Sequence, residues 1–183
     1  AGLIVTSAPV TVSVAPEAPA GVAASDGAYA DKVRVAWAAA GGASGYQVWR
    51  NTANSSGTAA LLGRTGGTVY EDTGAVPGTK YYYWVKATNA WATGLFSASD
   101  AGYRTVPAPA GVAASDAGYP DKVRVAWGAV SGAAGYQVFR NTANAGGSAA
   151  LLATVTAPPY DDRSAAAGIP YYYWVKTRRG VAT

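Results

Sequence analysis

Two pairs of adjacent carboxylates are the residues of this chain whose types and spacing come closest to catalysis. Glu71-Asp72 and Asp161-Asp162 each bring two acids together, as the hydrolysis of a glycosidic bond requires. Each pair lies in a short β-prone segment, and neighbouring residues on a strand point to opposite faces of a sheet. The two acids of a pair therefore cannot flank one scissile bond, and we interpret all four as solvated charges at strand edges. The sequence predicts no catalytic residue and no enzyme.

Metal and cofactor chemistry is also poorly supported. Asp26, Asp31, Asp116 and Asp121 lie in predicted turns and offer oxygen ligands of the kind that Ca²⁺ prefers, but no dense acidic loop surrounds them. The chain contains no Cys, His or Met, which excludes sulfur and imidazole ligands, a thiol nucleophile and a Ser/His/Asp triad. Its glycine pairs lack a phosphate-loop pattern. We therefore expect no metal site and no cofactor.

The charge pattern limits the possible partners. The net charge is +4, from 14 Lys and Arg against 10 Asp and Glu, and the basic residues are scattered along the chain. A nucleic-acid interface needs basic residues clustered on one surface. No apolar run reaches the length that spans a bilayer. We expect neither nucleic-acid binding nor membrane insertion.

The aromatic residues are more informative. If Tyr81, Tyr83 and Val85 face a core, strand alternation turns the residues between them outward. The outward set is Trp49, Tyr82 and Trp84, with Phe139, Tyr172 and Trp174 in matching places. Such a row of aromatics suits stacking against a sugar or a partner protein. Cross-strand pairing that merely stabilises the sheet is the alternative, and both interpretations stay open.

These residues belong to a repeat. Tyr81-Tyr82-Tyr83-Trp84-Val85-Lys86 returns unchanged ninety residues later, and Asp31–Trp37 returns at the same offset as Asp121–Trp127. Glycine and proline punctuate short runs rich in Val and Tyr, which is typical of an all-β sandwich. The division of the chain is an orphan β-strand at 1–14, a Pro-rich connector at 15–20, module one at 21–105, a linker at 106–110 and module two at 111–183.

The ordered motifs of each module resemble the fibronectin type III family. They are Trp37, Tyr46-x-Val48 and Pro77-Gly78-Thr79-x-Tyr81-x-Tyr83-x-Val85. The resemblance implies two tandem seven-stranded β-sandwiches of sheets ABE and C′CFG, with a core of Trp37/Trp127, Tyr46/Tyr136 and Tyr81/Tyr171. The opening ASDG-x-Y-x-DKVRVAW looks like the variant common in secreted bacterial proteins, so it implies an extracellular or cell-surface location of prokaryotic type. Ala75, where the family usually has Leu, and the altered turn before Tyr171 depart from the pattern.

The two ends of the chain depart further. Lys86 is followed by a segment that supplies strand G, whereas only seven residues follow Lys176, so module two is expected to lack its own strand G. Residues 1–14 have the opposite character, because they form a β-prone strand with no module. We predict that this segment is the strand G of a neighbouring copy's module two. Its assembly residues are Leu3, Ile4, Val5, Val10, Val12 and Val14.

The functional prediction follows from these ends. We expect a non-enzymatic structural subunit or repeat unit of an extracellular filament or surface array, assembled head-to-tail with copies of itself by β-strand complementation. One period of a covalent tandem-repeat chain would show the same pattern. The alternative is a carbohydrate-binding or adhesive accessory module of a larger secreted protein, with a glycan or a surface protein as the partner of the aromatic face.

Overall fold

The computed structural model describes Ala8, Val10 and residues 12–179. The described residues form two β-sandwiches, and their only helical elements are single 3₁₀ turns at Ser56–Thr58 and Gly146–Ser148. Both turns fall ninety residues apart, as the repeat requires. The predicted all-β class and the two modules are confirmed.

Module one consists of two antiparallel sheets. The first has the order β1-β2-β5, and the second has the order β4-β3-β6-β7, with β8 also paired to β6. These are the predicted sheets ABE and C′CFG. The strands are β1 (Ala23–Ala24), β2 (Val33–Ala36), β3 (Gly45–Asn51), β4 (Ala60–Thr65), β5 (Val69–Asp72), β6 (Tyr81–Thr88), β7 (Thr93–Phe96) and β8 (Asp100–Gly102).

Module two repeats this arrangement up to its last strand. Its sheets have the orders β13-β10-β9 and β12-β11-β14, so β14 is an edge strand within the described part of the chain. Nothing among the described residues corresponds to β7 and β8. The strands are β9 (Ala113–Ala114), β10 (Val123–Ala126), β11 (Gly135–Asn141), β12 (Ala150–Val155), β13 (Tyr160–Asp162) and β14 (Tyr172–Arg178).

Each module has its own core, formed by the inward residues of alternating strands. Trp37 and Trp127 are each 6% exposed, and each ring packs edge-on against the tyrosine of the next strand, Tyr46 or Tyr136. Val48 and Val138 are fully buried between the sheets. Burying an apolar side chain of this size contributes about 1.5–3 kcal/mol, so these residues hold the two sheets of each module together.

Tyr81 and Tyr171 have the same sequence context but different environments. Tyr81 is 7% exposed, as expected for a core residue, whereas Tyr171 is only half-buried. The expectation that Tyr171 is buried is therefore wrong. Gly102 of β8 pairs with Tyr81, and no described residue occupies the corresponding place beside Tyr171.

The carboxylate pairs need a second correction. Adjacent acids do point to opposite faces: Glu71 pairs with Lys32 at 2.7 Å on the outside, while Asp72 points inward. Asp72 is 4% exposed and Asp162 is fully buried, so these two are not solvated. Each carboxylate has an arginine partner on the other sheet of its module. The Nη1 atom of Arg50 in β3 lies 2.7 Å from Asp72, and that of Arg140 in β11 lies 2.7 Å from Asp162. A buried charge is tolerated where such a partner neutralises it.

Candidate functional site

The last strand of module one has no counterpart among the described residues of module two, so its contacts show what such a strand would meet. Between Asp100 and Thr105 the chain lies between β6 and the segment that follows β1. The amide of Tyr103 donates to the Ser25 carbonyl at 3.1 Å, and the Gly27 amide donates to the Tyr103 carbonyl at 2.8 Å. Gly102 lies so close to the Ala24 and Val33 side chains that a Cβ there would meet both. The last strand therefore closes the edge between the two sheets.

The same edge of module two is an open groove of about 460 Å³. In module one, a set of residues contacts the segment Asp100–Thr105. The equivalent residues of module two, ninety positions later, make up most of the groove lining. These counterparts are Ala114, Ser115, Asp116, Ala117, Tyr119, Pro120, Val123, Ala165, Gly168, Tyr171 and Tyr173. The groove thus has the position and the lining of a site that accepts a β-strand.

The burial of equivalent side chains in the two modules shows the effect of the open groove. Val33, Ala75 and Tyr83 are buried in module one, whereas their counterparts in module two are only half-buried. Val85 of β6 is inaccessible, whereas its counterpart Val175 of β14 is 8% exposed, although both belong to the core clusters. Identical or similar side chains thus bury less surface in module two, because no described residue covers one edge of its sandwich.

One substitution between the modules indicates what size of side chain the groove accepts. Gly27 has φ +65°, and a Cβ at this position would run into the ring of Tyr103. Its counterpart Ala117 has φ +48° and carries that Cβ. A tyrosine opposite Ala117 would have to shift its ring, so a smaller residue fits this position of the groove better.

A buried polar network borders the groove. The hydroxyl of Tyr173, which lines the groove, donates to Asp162 at 2.9 Å, and Ser164 donates to the same carboxylate. Burial alone would raise the pKa of Asp162, but the hydrogen bonds from Ser164, Tyr173 and Arg140 outweigh it and hold that pKa below its usual range. Burial and the neighbouring Asp162 raise the pKa of the Tyr173 hydroxyl well above its usual value.

The aromatic residues of module one form a packed outer row. Trp49 pairs across the sheet with Trp84, and the Trp49 ring meets Phe96 of β7 edge-on at 5.5 Å. The Lys86 ammonium lies 4.0 Å from the centre of the Phe96 ring. Trp84 is only 5% exposed, although it does not belong to the core cluster, and its ring lies 6.4 Å from that of Tyr82. Outward direction on this sheet thus does not mean exposure.

The matching row of module two is more open. Phe139 pairs with Trp174, and Lys176 lies 4.7 Å from the centre of the Phe139 ring. Tyr172 is 43% exposed and Trp174 is half-buried. The described residues place no counterpart of Phe96 on Phe139. The outer row and the groove of module two are therefore incomplete along the same edge of β14.

The predicted assembly strand lies only partly within the described residues. Leu3, Ile4 and Val5 fall outside them, whereas Val10, Val12 and Val14 are 85%, 80% and 77% exposed. Residues 12–17 form no strand, and the carbonyl of Val14 accepts one hydrogen bond of 2.9 Å from Asn89. The valines are thus presented to solvent where the chain approaches module one.

The turn aspartates gather no further ligands. Within the described residues, no three acidic side chains are placed to hold a metal ion, and Asp121 is paired with Arg163. The part of the chain that the structure describes also contains no helix long and apolar enough to cross a membrane.

Sequence reasoning predicted that module two lacks its own strand G, but it did not identify the residues that line the groove. The lining of the groove is mostly alanine, with tyrosines that the sequence assigned to a closed core. The repeat could have identified the groove lining, because most lining residues lie ninety positions after module-one residues that contact the last strand. That comparison requires knowing which module-one residues contact the last strand, and only the folded module shows them.

Comparison with solved structures finds fibronectin type III proteins similar to this chain. An Fn3-like protein from Clostridium thermocellum is 35% identical over 50% of this chain and 95% of its own, with a TM-score of 0.46. A segment of two fibronectin type III domains from chicken tenascin is 16% identical and covers 89% of this chain and 92% of its own, with a TM-score of 0.65. Comparison with protein-family models and with curated protein sequences finds no match.

Proposed function

The chain belongs to the fibronectin type III family, and we propose that it is a non-enzymatic structural protein outside the cell whose copies join head to tail by β-strand addition. The family and the fold support a structural or adhesive module. The joining mode is our proposal, and it rests on the open groove of module two. An uncovered sheet edge is a site for strand pairing with another chain, and filling it would bury both the edge and the groove lining.

Residues 1–14 have the composition expected of the occupant, and the described valines among them have the expected exposure. They are rich in β-branched residues, and the three described valines are exposed. Aligning Leu3 with Leu95 places Thr11 at the position of Tyr103, and aligning Gly21 with Gly111 places Ser13 there. Either residue is small enough to lie opposite the Cβ of Ala117. A strand that repeated the tyrosine would have to displace its ring to avoid the Cβ of Ala117.

The same alignment completes the aromatic row. With Leu3 at the position of Leu95, Ile4 falls at the position of Phe96. Phe96 covers Trp49 and Lys86 in module one, so Ile4 would cover Phe139 and Lys176 in module two. We therefore assign the outer aromatics of module two to the strand interface rather than to a separate ligand.

The join between copies also has a suitable length. From Lys86 to Gly111 the chain advances 25 residues, and from Lys176 through Thr183 to Gly21 of the next copy it advances 28. A head-to-tail contact of this kind is heterologous and does not close on itself, so a filament is its natural product. The same contact serves if the donor strand belongs to the continuation of a longer chain.

The test is assembly of the 183-residue chain, followed by light scattering and electron microscopy. Val12→Asp would place a charge on the proposed donor strand, at the position of Gly102 or of Arg104 in the two alignments, and we expect it to weaken assembly by at least about tenfold. Ala18→Asp is the matched control, because Ala18 is exposed in the connector outside the proposed strand. Equal assembly of the two variants would refute the proposal.

A rearranged chain gives a second test. Moving residues 1–14 from the head to follow Thr183 lets each module two take its own strand, so we expect a monomer with a more stable module two. A rearranged chain that still forms filaments would contradict strand complementation. The mass of the native material after denaturation separates the two versions: 18.4 kDa indicates separate subunits, and a much larger mass indicates a continuous chain.

A further inference from the structure

The two modules of one chain meet at a defined joint. The turn Pro77-Gly78 of module one lies against Gly132 in the loop between β10 and β11 of module two, where a Cβ would run into the Pro77 carbonyl. The Arg179 guanidinium lies 3.9 Å from the centre of the Tyr103 ring, and Thr177 donates to the Pro107 carbonyl at 2.7 Å. The linker between the modules therefore contacts the end of β14, and the turn Pro77-Gly78 contacts the loop between β10 and β11.

Half of a second joint of this kind is present at the head of module one. Asn89, the counterpart of Arg179, donates to the Val14 carbonyl at 2.9 Å. The amide of Glu17 donates to the Gly41 carbonyl at 3.4 Å, and Gly94 lies so close to the Pro16 carbonyl that it has no room for a Cβ. The connector before module one is therefore seated on that module, as the linker is seated on module two.

The two surfaces that would complete the second joint are both exposed. Gly42 is the counterpart of Gly132, and their φ angles are +71° and +77°. Gly168 is the counterpart of Gly78, and their φ angles are +79° and +77°. A Cβ on Gly168 would meet nothing within 4 Å, whereas one on Gly78 would meet the Gly132 carbonyl at 2.8 Å. The chain thus carries both halves of the joint a second time, with the equivalent glycines at similar positive φ angles.

We infer that the contact between successive copies repeats the joint between the two modules of one copy. This inference rests on the proposed head-to-tail assembly. The turn Ala167-Gly168 of one copy docks on the loop Gly41-Gly42 of the next copy, as Pro77-Gly78 docks on Gly132. Every module then follows the one before it by the same rotation and advance, so the array repeats at each module and not only at each chain.

Cysteine cross-linking tests the second joint directly, because the chain contains no cysteine of its own. Gly41→Cys with Ala167→Cys places thiols on the two surfaces, and a short bis-maleimide should join successive copies into a ladder on a denaturing gel. Pro77→Cys with Ser131→Cys is the within-chain reference at the observed joint. Thr52→Cys with Ala167→Cys is the matched control, because Thr52 lies beyond the far end of the seven-residue strand β3, about 23 Å from the loop.

Each outcome has a separate meaning. A ladder from the Gly41 pair and none from the Thr52 pair supports the repeated joint. Filaments that assemble normally but give no ladder, while the within-chain pair cross-links, overturn the inference and leave strand complementation standing. Equal ladders from the Gly41 and Thr52 pairs overturn it as well, since the copies would then lack a defined joint. Absence of assembly overturns the proposed function. If the within-chain pair Pro77→Cys and Ser131→Cys does not cross-link, the joint between the two modules of one chain is contradicted, and the inference falls with it.

Discussion

Tyr173 donates a hydrogen bond of 2.9 Å to Asp162, and Tyr83 makes the same bond of 2.9 Å to Asp72. Tyr83 is inaccessible to solvent, whereas Tyr173 remains half-buried at the groove. The polar core of module two is therefore built like that of module one but is covered less well. A strand that fills the groove would cover it.

Truncating Tyr81 and truncating its counterpart Tyr171 should have unequal effects on stability. Tyr81→Ala empties a closed site and should lower the free energy of unfolding by about 3–5 kcal/mol. Tyr171→Ala should cost only about 1–2 kcal/mol in the unassembled chain, because its ring is half-buried. Urea denaturation measures both. In the rearranged chain, with its groove filled, the cost of Tyr171→Ala should rise toward that of Tyr81→Ala, and an unchanged cost would contradict the filling of the groove.

Acid should destabilise module two through Asp162. The folded pKa of this carboxyl lies below its unfolded value of about 3.9, so its contribution is present above that pH and is lost as the pH falls toward the folded pKa. We expect lower stability at pH 3 than at pH 7 in urea denaturation followed by fluorescence. Asp162→Asn should lower stability at pH 7, because Arg140 loses its buried partner, and should reduce the difference between the two pH values. An undiminished difference in that variant would assign the acid sensitivity to other groups.

Alkali should destabilise both modules through the buried tyrosines. The folded pKa values of Tyr83 and Tyr173 are raised above the unfolded value of about 10 by burial and by the aspartate that each contacts. Their contribution is complete below that pH and is lost as the pH rises toward the folded values. Tyr173→Phe should lower stability at pH 7 and make module two less sensitive to pH between 9 and 11. Tyr172→Phe, at an exposed neighbouring position, is the control and should leave the pH dependence unchanged.

A compensating pair of substitutions should reveal the register of the donor strand. Gly27 and Tyr103 fit each other in module one, as Ala117 and a small residue are proposed to do in the assembled module two. Thr11→Tyr or Ser13→Tyr, whichever lies opposite Ala117, should block assembly, and Ala117→Gly should restore it. The other tyrosine variant should not respond to Ala117→Gly. If the glycine rescues neither variant, the strand does not follow the path of β8.

The repeat alone was sufficient to predict much of the fold. Strand alternation placed Trp37, Val48 and Tyr83 inside because side chains on a strand point alternately to its two faces, which is a local property. The same local rule separated the two acids of each carboxylate pair. The repeat also predicted that β7 and β8 have no counterpart among the described residues of module two, since one module serves as the template for the other.

Tertiary structure decided the environments that depend on distant segments. Asp72 and Asp162 are buried because Arg50 and Arg140 reach them from another sheet, and no local pattern encodes that pairing. Trp84 is covered by neighbours on its own outer face, and Tyr171 is left half-buried because what covers Tyr81 comes from residues about twenty positions further along the chain. Burial is a property of all the surfaces that meet at a residue. The sequence therefore determined the direction of each side chain, and only the folded chain determined whether anything lies above it.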